Sequence, residues 1–293
     1  MATIDQPSVA SLPIILPPLN IQERLVLELE AAREESQAEL AHADALLSSL
    51  DAYLLAQLGI TIKKDEKRQV FAVKAEQLKG SRLDVLYHSQ SISRKLSGKY
   101  DSLPLSSLVQ MISGGTPSKS SAEFWEGEIP WVSPKDFSEY FIDDTEDHIS
   151  EDGMKDARLT LIPAKSILVV VRSGILQHTL PVAFNSRPVT INQDIKALVP
   201  NEKINSEFLG VYLRVLGKRI LPSITKHSTT VQSVNTDQLQ SLQIPVPPLG
   251  VQEQLVEEVT RRIIEAKRLR QSANDEWAAA KARFEWKLLG EEA

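Results

Sequence analysis

The sequence predicts an α+β protein in which one mixed α/β domain lies between two long helices that pair as an antiparallel coiled coil. Three observations support this fold class. A segment of the chain recurs 230 residues later, each copy precedes a long stretch without proline or glycine, and the middle of the chain alternates short apolar runs with turn residues. We expect four parts in the 293-residue chain: a strand and corner over 1–20, a first helix over 21–60, the central domain over 61–246 and a second helix over 247–293.

The repeated segment reads SLPIILPPLNIQERLVLEL from Ser11 to Leu29 and SLQIPVPPLGVQEQLVEEV from Ser241 to Val259, with eleven of 19 positions identical. In each copy a pair of prolines disfavours helix and keeps the preceding residues extended, and a helical sequence opens near the Gln-Glu pair. Each copy therefore predicts a strand, a rigid corner and a long helix.

Both predicted helices carry an apolar stripe with coiled-coil spacing. Proline and glycine are absent between Ile21 and Leu58 and between Val251 and Leu289, so each helix would be nearly 60 Å long at about 1.5 Å per residue. Such a stripe needs a partner, and we expect the two helices to pack against each other; packing of both onto the central domain is the alternative. The expected seam residues are Leu40, Leu47, Leu50 and Leu54 on the first helix and Ile263, Trp277 and Phe284 on the second.

The central segment has the mixed character of an α+β domain. Short apolar runs at Ile167–Val171 and Pro181–Phe184 predict buried strands, and Ser206–Ile220 predicts a helix. Trp125 and Trp131 lie in a context that favours a role in the core over stacking on a ligand.

Composition excludes several classes of protein. The chain has no cysteine, so disulfide frameworks and thiolate chemistry are excluded, and no apolar run approaches the roughly 18 residues of a membrane helix. A cytoplasmic protein without a membrane partner is the prediction. The net charge of −6 opposes binding to nucleic acid at first sight, but eight acidic residues and one lysine lie between Glu139 and Asp156, so a basic face elsewhere is compatible with it.

No catalytic or metal-binding motif is present in the sequence. Phosphate loops, dinucleotide fingerprints, zinc-protease helices and nucleophile elbows are all absent, and the five histidines lack ligand spacing. We therefore predict a protein that is not an enzyme and that has neither a metal nor a cofactor.

Three stretches carry a resemblance to a known family. SGGTPSKSSAEFWEGEIPWVSPKDF (Ser113–Phe137) resembles the opening of a target-recognition domain of type I restriction-modification specificity subunits. The segment from Leu159 to Pro200 resembles the middle of that domain, and the segment from Thr229 to Val256 resembles its exit into a long helix. The repeat at Ser11–Leu29 matches the same exit again.

The resemblance implies a sequence-specific DNA-binding subunit that directs a partner methyltransferase. Double-stranded DNA and a modification subunit are the implied partners, and a restriction subunit and a second copy of the chain are further ones. Members of the family hold two target-recognition domains on an antiparallel helix pair, whereas this sequence has two exit-and-helix units and one domain between them. We therefore expect either a half-sized subunit that pairs with another chain or a fragment of a longer one.

Polar loop residues are the candidates for contact with DNA. Arginine can contact guanine with two hydrogen bonds, asparagine and glutamine can contact adenine similarly, and hydroxyls and ammonium groups suit phosphate. The candidates are Thr116, Ser118, Lys119, Lys135, Arg172, Ser173, Arg187, Asn192, Gln193, Lys226, His227, Thr229 and Gln232.

A second hypothesis comes from a different class of protein. The excess of acidic over basic residues is compatible with a coiled-coil adaptor that mediates protein assembly without reading DNA. Salt separates the two hypotheses, because phosphate contacts weaken steeply as salt rises whereas a coiled-coil contact changes little.

Overall fold

A computed structural model describes residues 15–61, 98–138, 140–226 and 232–289. The chain divides into two compact units. The helical unit combines Met1–Ser49 with Thr260–Ala293, and the sheet unit comprises Leu50–Val259. The four-part division of the chain expected from the sequence stays a prediction.

Helices of the described residues are α1 (Leu19–Ser48), α2 (Leu50–Gln57), α3 (Glu151–Asp156), α4 (Ser206–Val215), α5 (Gly217–Ile224), α6 (Thr236–Gln240) and α7 (Leu249–Leu288). The first eleven residues of α7 belong to the sheet unit and the rest to the helical unit. None of the helices in the described ranges is both long enough and apolar enough to cross a membrane.

Within the helical unit, α1 and α7 run antiparallel. Rising residue numbers in α1 pair with falling numbers in α7. The contacts are Glu28 with Lys287 (2.6 Å), Ser36 with the carbonyl of Ala273 (3.0 Å), Asp44 with Arg270 (2.6 Å) and Ser49 with Arg262 (3.1 Å). The predicted antiparallel pairing of two long helices is confirmed.

Small residues form the centre of this seam. Ala43, Ala266 and Leu269 form a buried cluster, and Leu47 packs beside it with its side chain half-buried. Ala273 is fully buried, seven residues after Ala266. A seven-residue spacing keeps the seam facing the partner helix, and alanine side chains let the two backbones approach closely. Other predicted seam residues are half-buried in the helical unit: Leu40, Ile263, Trp277 and Phe284.

The predicted first helix is divided at Ser49. Ser48 and Ser49 donate their hydroxyls to the carbonyls of Ala45 and Leu46, at 3.2 and 2.8 Å. Such bonds compete with the helical ladder and bend helices. After this turn, α2 belongs to the sheet unit.

The α2 segment contributes to the core of the sheet unit rather than to the helix pair. Leu50 and Leu54, which the sequence placed on the seam, are both buried there, and α2 packs against α4. Gly59 ends the helix in the left-handed region with φ of 64°, and Ile60 N–H donates to the Leu55 carbonyl at 2.8 Å.

The strands of the sheet unit form four sheets within the described residues. They are β1 (Ser102–Pro104), β2 (Val109–Ser113), β3 (Ile129–Val132), β4 (Phe141–Ile142), β5 (His148–Ile149), β6 (Ile167–Val170), β7 (Val182–Asn185), β8 (Thr190–Ile191), β9 (Ile195–Pro200), β10 (Thr225–Lys226), β11 (Ser233–Val234) and β12 (Gln243–Pro245). The largest sheet has the order β2-β9-β6-β7-β4, antiparallel except for β4 and β7.

The remaining sheets are smaller. One has the order β5-β3-β8, with β3 and β8 parallel, and two antiparallel pairs join β1 to β12 and β10 to β11. Apolar side chains from the five-stranded and three-stranded sheets share one core, which includes Leu168, Val170 and Ala197 from the first and Val132 and Ile191 from the second. The predicted strands at 167–171 and 181–184 and the predicted helix near 206–220 are all present.

The two repeat copies form the same corner. Gln22 Nε2 donates to the carbonyl of Pro17, and Gln252 Nε2 donates to that of Pro247, both at 2.7 Å. The glutamine side chain therefore closes each Pro-Pro corner at the start of its helix. The glutamine of the second copy makes a further contact. Gln252 is fully buried, and its Oε1 accepts the backbone N–H of Asn205 at 2.8 Å. The strand expected before the first corner begins at Ser11 and lies largely outside the described residues.

Candidate nucleic-acid interface

Three loops meet at one end of the five-stranded sheet because of its register. β2 pairs antiparallel with β9 so that Ser113 faces Lys196, and β9 pairs antiparallel with β6 so that Ile195 faces Val170. The loop after β2, the turn before β9 and the loop after β6 therefore start at the same end of the sheet.

Polar side chains from these loops contact one another. Thr116 donates its hydroxyl to Oε1 of Gln193, and Gln193 Nε2 donates to Oδ2 of Asp194 at 3.4 Å. The other carboxylate oxygen of Asp194 lies 2.8 Å from Nε of Arg172. The structure thus brings three of the predicted DNA-contacting residues into one connected set, with Asp194 between them.

The β10–β11 hairpin adjoins this set. Ser233 forms an isolated antiparallel bridge with Arg172, and the N–H of Ser173 donates to the carbonyl of Gln232 at 3.4 Å. The hydroxyl of Ser173 accepts the N–H of Ile175 and so caps the short helical turn that follows.

Lys196 belongs to the same surface and was not singled out from the sequence. Its Nζ donates to the hydroxyl of Ser113 at 2.5 Å, and partial burial lowers its pKa. The available signal was strand alternation, because Ile195 and Ala197 are buried and the residue between them must face the other way. We call the surface formed by Thr116, Arg172, Ser173, Gln193, Lys196 and Gln232 the polar edge.

Two tryptophans hold the Gly-Gly-Thr-Pro-Ser turn in place. Trp131 Nε1 donates to the carbonyl of Gly115 at 3.0 Å, and Trp125 Nε1 donates to that of Ser118 at 3.1 Å. Their rings meet edge to face with centroids 5.0 Å apart. Trp131 is buried and Trp125 half-buried, so both indoles position the turn that carries Thr116.

The turn before β9 packs directly against Gly114. A Cβ on this glycine would lie 2.1 Å from the carbonyl oxygens of Ile191 and Asn192, so no other residue fits without a shift of the backbone. Asn192 is 5% exposed, and its Oδ1 accepts the N–H of Asp194 at 2.9 Å. Because this side chain shapes the turn, we leave Asn192 outside the polar edge.

Ser118 and Lys119 lie on the exposed part of the turn that follows Thr116. Ser118 N–H donates to Oδ2 of Asp156 at 3.2 Å, and its hydroxyl is 2.7 Å from that of Ser120. Lys119 has no hydrogen bond or ion pair within the described residues, which leaves its ammonium group open to an anion.

Lys135 contacts the acidic run instead of the polar edge. Its Nζ lies 2.9 Å from carboxylate oxygens of both Glu146 and Asp147. Hydrogen bonds to Asp147 first and Glu146 second raise the pKa of the Lys135 ammonium group. Part of the acidic run is therefore neutralised locally.

Arg187 follows β7 at the end of the sheet opposite to the polar edge. Its Nη1 lies 3.7 Å from Oδ1 of Asp144, and the same oxygen is 2.9 Å from Nε2 of His148. The hydrogen bond from His148 lowers the pKa of the Asp144 carboxyl. Sequence reasoning grouped Lys135 and Arg187 with the loop residues, whereas their partners here belong to the acidic run.

Three of the predicted DNA-contacting residues are close together in the sequence: Lys226, His227 and Thr229. Lys226 lies in β10 with its backbone opposite Ser233. His227 and Thr229 lie outside the described residues. In the ranges that the structure does describe, no group of three or more histidine, aspartate or glutamate side chains is arranged to hold a metal ion.

Comparison with protein families identifies the chain. Residues 98–270 match the type I restriction modification DNA specificity domain. The chain belongs to this family. The specificity domain therefore covers most of the sheet unit, including every residue of the polar edge.

Curated relatives are specificity subunits of type I restriction enzymes. The match to that of EcoR124I/EcoR124II from Escherichia coli is 40% identical over 172 residues, which is 58% of this chain and 42% of the relative. The match to that of HindI from Haemophilus influenzae is 32% identical over 153 residues, covering 49% of this chain and 31% of the relative. The matched region thus spans less than half the length of these relatives.

Solved structures share the fold. The chain is similar to an HsdS subunit from Thermoanaerobacter tengcongensis, with a TM-score of 0.53 and 17% identity over 100% of this chain and 64% of that one. It is also similar to a chain from a structure concerned with complex assembly and conformational transition of the type I R-M system, with a TM-score of 0.58 and 18% identity over 93% of this chain and 59% of that one. The predicted family and α+β architecture are confirmed, and membership of a family of specificity subunits agrees with the prediction of a non-catalytic subunit.

Proposed function

We propose that this chain binds double-stranded DNA sequence-specifically through the polar edge and directs a modification subunit, a methyltransferase, to its site. The observation that carries the proposal is the meeting of three loops of the specificity domain at one sheet end, with exposed amide, hydroxyl and guanidinium groups. These groups can form hydrogen bonds with base edges in a groove.

Phosphate binding is the second component of the proposal. Lys119 and Ser118, on the exposed turn next to Thr116, supply an ammonium group and a hydroxyl at the margin of the polar edge. Lys226, His227 and Thr229 stay candidates for phosphate contact on their chemistry alone. Contacts to phosphate position a protein on the duplex, and contacts to bases give specificity. Lys135 and Arg187 would contribute only where DNA displaces their acidic partners.

The helical unit is the proposed docking surface for the modification subunit. Exposed apolar side chains on its helices, including Leu27 (66% exposed), Ile264 (62%) and Trp286 (46%), are the type of group that a stable protein partner covers. A restriction subunit and a second copy of the chain are further partners that the resemblance implies.

Co-expression with the modification subunit tests the function. The purified complex is used to methylate genomic DNA, and the modified bases are mapped at single-nucleotide resolution. We expect one defined sequence motif. A stable complex that methylates without sequence preference would show that the chain does not read DNA.

Salt dependence tests the phosphate component. Binding to a duplex that carries the motif should weaken steeply between 50 and 200 mM salt, and Lys119→Ala should lower the slope of log affinity against log salt by about 1. Lys203→Ala, an exposed lysine that follows β9 at the end of the sheet opposite to the polar edge, is the matched control and should leave the slope unchanged. No measurable binding to the duplex at 50 mM salt, together with protein assembly that does not change with salt, would favour the adaptor hypothesis.

A further inference from the structure

The backbone of Arg172 is fixed at the centre of the polar edge. Its N–H donates to the carbonyl of Asp194 at 3.3 Å, and the same carbonyl accepts the N–H of Val171 at 2.7 Å. On its other side, Arg172 is bridged to Ser233 of β11. The residue therefore leaves β6 at a position set by two neighbouring segments.

The side chain of Arg172 is held by the same aspartate. Nε lies 2.8 Å from Oδ1 of Asp194, as a close ion pair rather than an aligned hydrogen bond. The arginine side chain is 59% exposed and the aspartate side chain 21% exposed, so Asp194 is the more buried partner of the pair and Arg172 the more exposed one. Asp194 is itself held by Asn192, which accepts its N–H, and by Gln193, which donates to its Oδ2.

Only one of the three guanidinium nitrogens is engaged in this way. Within the described residues, Nη1 and Nη2 of Arg172 have no hydrogen bond or ion pair. A guanidinium with both terminal nitrogens free presents two parallel donors, which match the O6 and N7 acceptors of guanine in the major groove. Adenine places a donor where guanine has O6, so the same fork rejects it.

The neighbouring polar side chain is less suited to read a base. Gln193 could contact adenine with its amide, but its Oε1 already accepts from Thr116 and its Nε2 donates to Asp194. A contact with adenine would have to use the remaining lone pair of Oε1 and the remaining N–H of Nε2, in the one orientation that Thr116 and Asp194 allow. The geometry therefore selects Arg172 as the base reader and Gln193 as part of its support.

We propose that Arg172 reads one guanine of the target through Nη1 and Nη2 in the major groove, and that Asp194 is the positioning residue that holds the guanidinium for this contact. The inference rests on the proposed function, because it assigns a base to the DNA-binding surface described above.

Selection from a random duplex library tests the assignment. The complex with the modification subunit is prepared with the unchanged chain and with Arg172→Ala, Arg172→Lys and Asp194→Asn. The unchanged chain should select a motif with a fixed guanine, and Arg172→Ala should relax preference at that position by roughly 5- to 150-fold while other positions keep theirs. Arg172→Lys keeps the charge and should still lose discrimination, because lysine lacks the fork.

Asp194→Asn should weaken discrimination at the same position by less than Arg172→Ala does, since the reader is still present. A merely structural role for Asp194 would instead lower affinity for all sequences equally. Arg219→Gln, which removes an exposed arginine paired with Asp51 inside the sheet unit and away from the proposed docking surface, is the matched control and should leave the motif unchanged.

Base analogues test the contact on the unchanged chain, independently of any folding defect. Replacing the assigned guanine with 7-deazaguanine removes N7 and should weaken binding, whereas inosine keeps N7 and O6 and should bind nearly as well. In the Arg172→Ala variant the 7-deazaguanine substitution should have no further effect.

The outcomes separate the two proposals. If the unchanged chain selects no motif, the proposed function fails. A motif that contains no guanine, or that Arg172→Ala leaves intact, overturns the assignment of Arg172 while the function stands. If Arg172→Ala abolishes all binding, the analogues decide, and equal binding of guanine and 7-deazaguanine at every position overturns the assignment.

Discussion

The two copies of the Pro-Pro corner permit a comparison within one chain. Gln252→Ala removes two hydrogen bonds from a fully buried position and leaves the N–H of Asn205 without its acceptor. Each bond contributes about 0.5–1.5 kcal/mol net, and an unpaired buried donor costs about 1–3 kcal/mol, so we expect a loss of about 3 kcal/mol. Gln22→Ala removes one hydrogen bond from a half-buried position and should cost under about 1 kcal/mol.

Thermal unfolding of both variants, each in the whole 293-residue chain and followed by circular dichroism at 222 nm, measures this difference. In the sheet unit, a loss of about 3 kcal/mol corresponds to a melting temperature lower by roughly 6–12 °C. Both substitutions replace glutamine with alanine near the start of a long helix, so their effects on helix propensity cancel. Equal losses in the two variants would refute the argument, because the second hydrogen bond at Gln252 would then contribute nothing.

Three further predictions concern the seam and the polar edge. Ala273→Leu should destabilise the helix pair by about 1–3 kcal/mol because there is no space beside Ser36, and an unchanged melt at 222 nm would contradict the close packing. Trp131→Phe removes the hydrogen bond to the Gly115 carbonyl, so it should lower the free energy of unfolding by about 1–2 kcal/mol and weaken DNA binding in a gel-shift assay. Full affinity for DNA would exclude a positioning role for the indole. Desolvation lowers the pKa of Lys196 in the folded state, so stability should rise with pH through the interval just below 10.5, and Lys196→Met should remove this rise while weakening DNA binding. A pH profile identical in the two proteins would show that Lys196 is not desolvated by folding.

Local signals in the sequence were sufficient for the architecture. The repeat and the proline pairs predicted both corners, and the absence of proline and glycine predicted α1 and α7. The break at Ser49 was not predicted, because the spacing of apolar residues carries no information about hydroxyl groups that donate to carbonyls of the preceding turn. For the same reason Leu50 and Leu54 were assigned to the seam, although they lie in the sheet unit.

The candidate surface was predictable only in part. Residue chemistry identified Thr116, Arg172 and Gln193, since exposed polar loops with these side chains suit DNA. Asp194 and Lys196 were missed because their roles depend on strand register, which brings together positions about 80 residues apart in sequence, such as Ser113 and Lys196. Register is a tertiary property and cannot be read from either segment alone.

The pairing of β1 with β12 has a consequence for how recognition can change. Ser102 and Pro245 face each other on adjacent strands, so the chain enters and leaves this part of the sheet unit at one place. All residues between these two strands therefore form one continuous insertion. Replacing this insertion with another sequence of the same fold leaves both connecting strands in place. A protein built in this way can exchange the sequence that carries the polar edge, by recombination within two short strands, without a change in α7, the helix that follows β12.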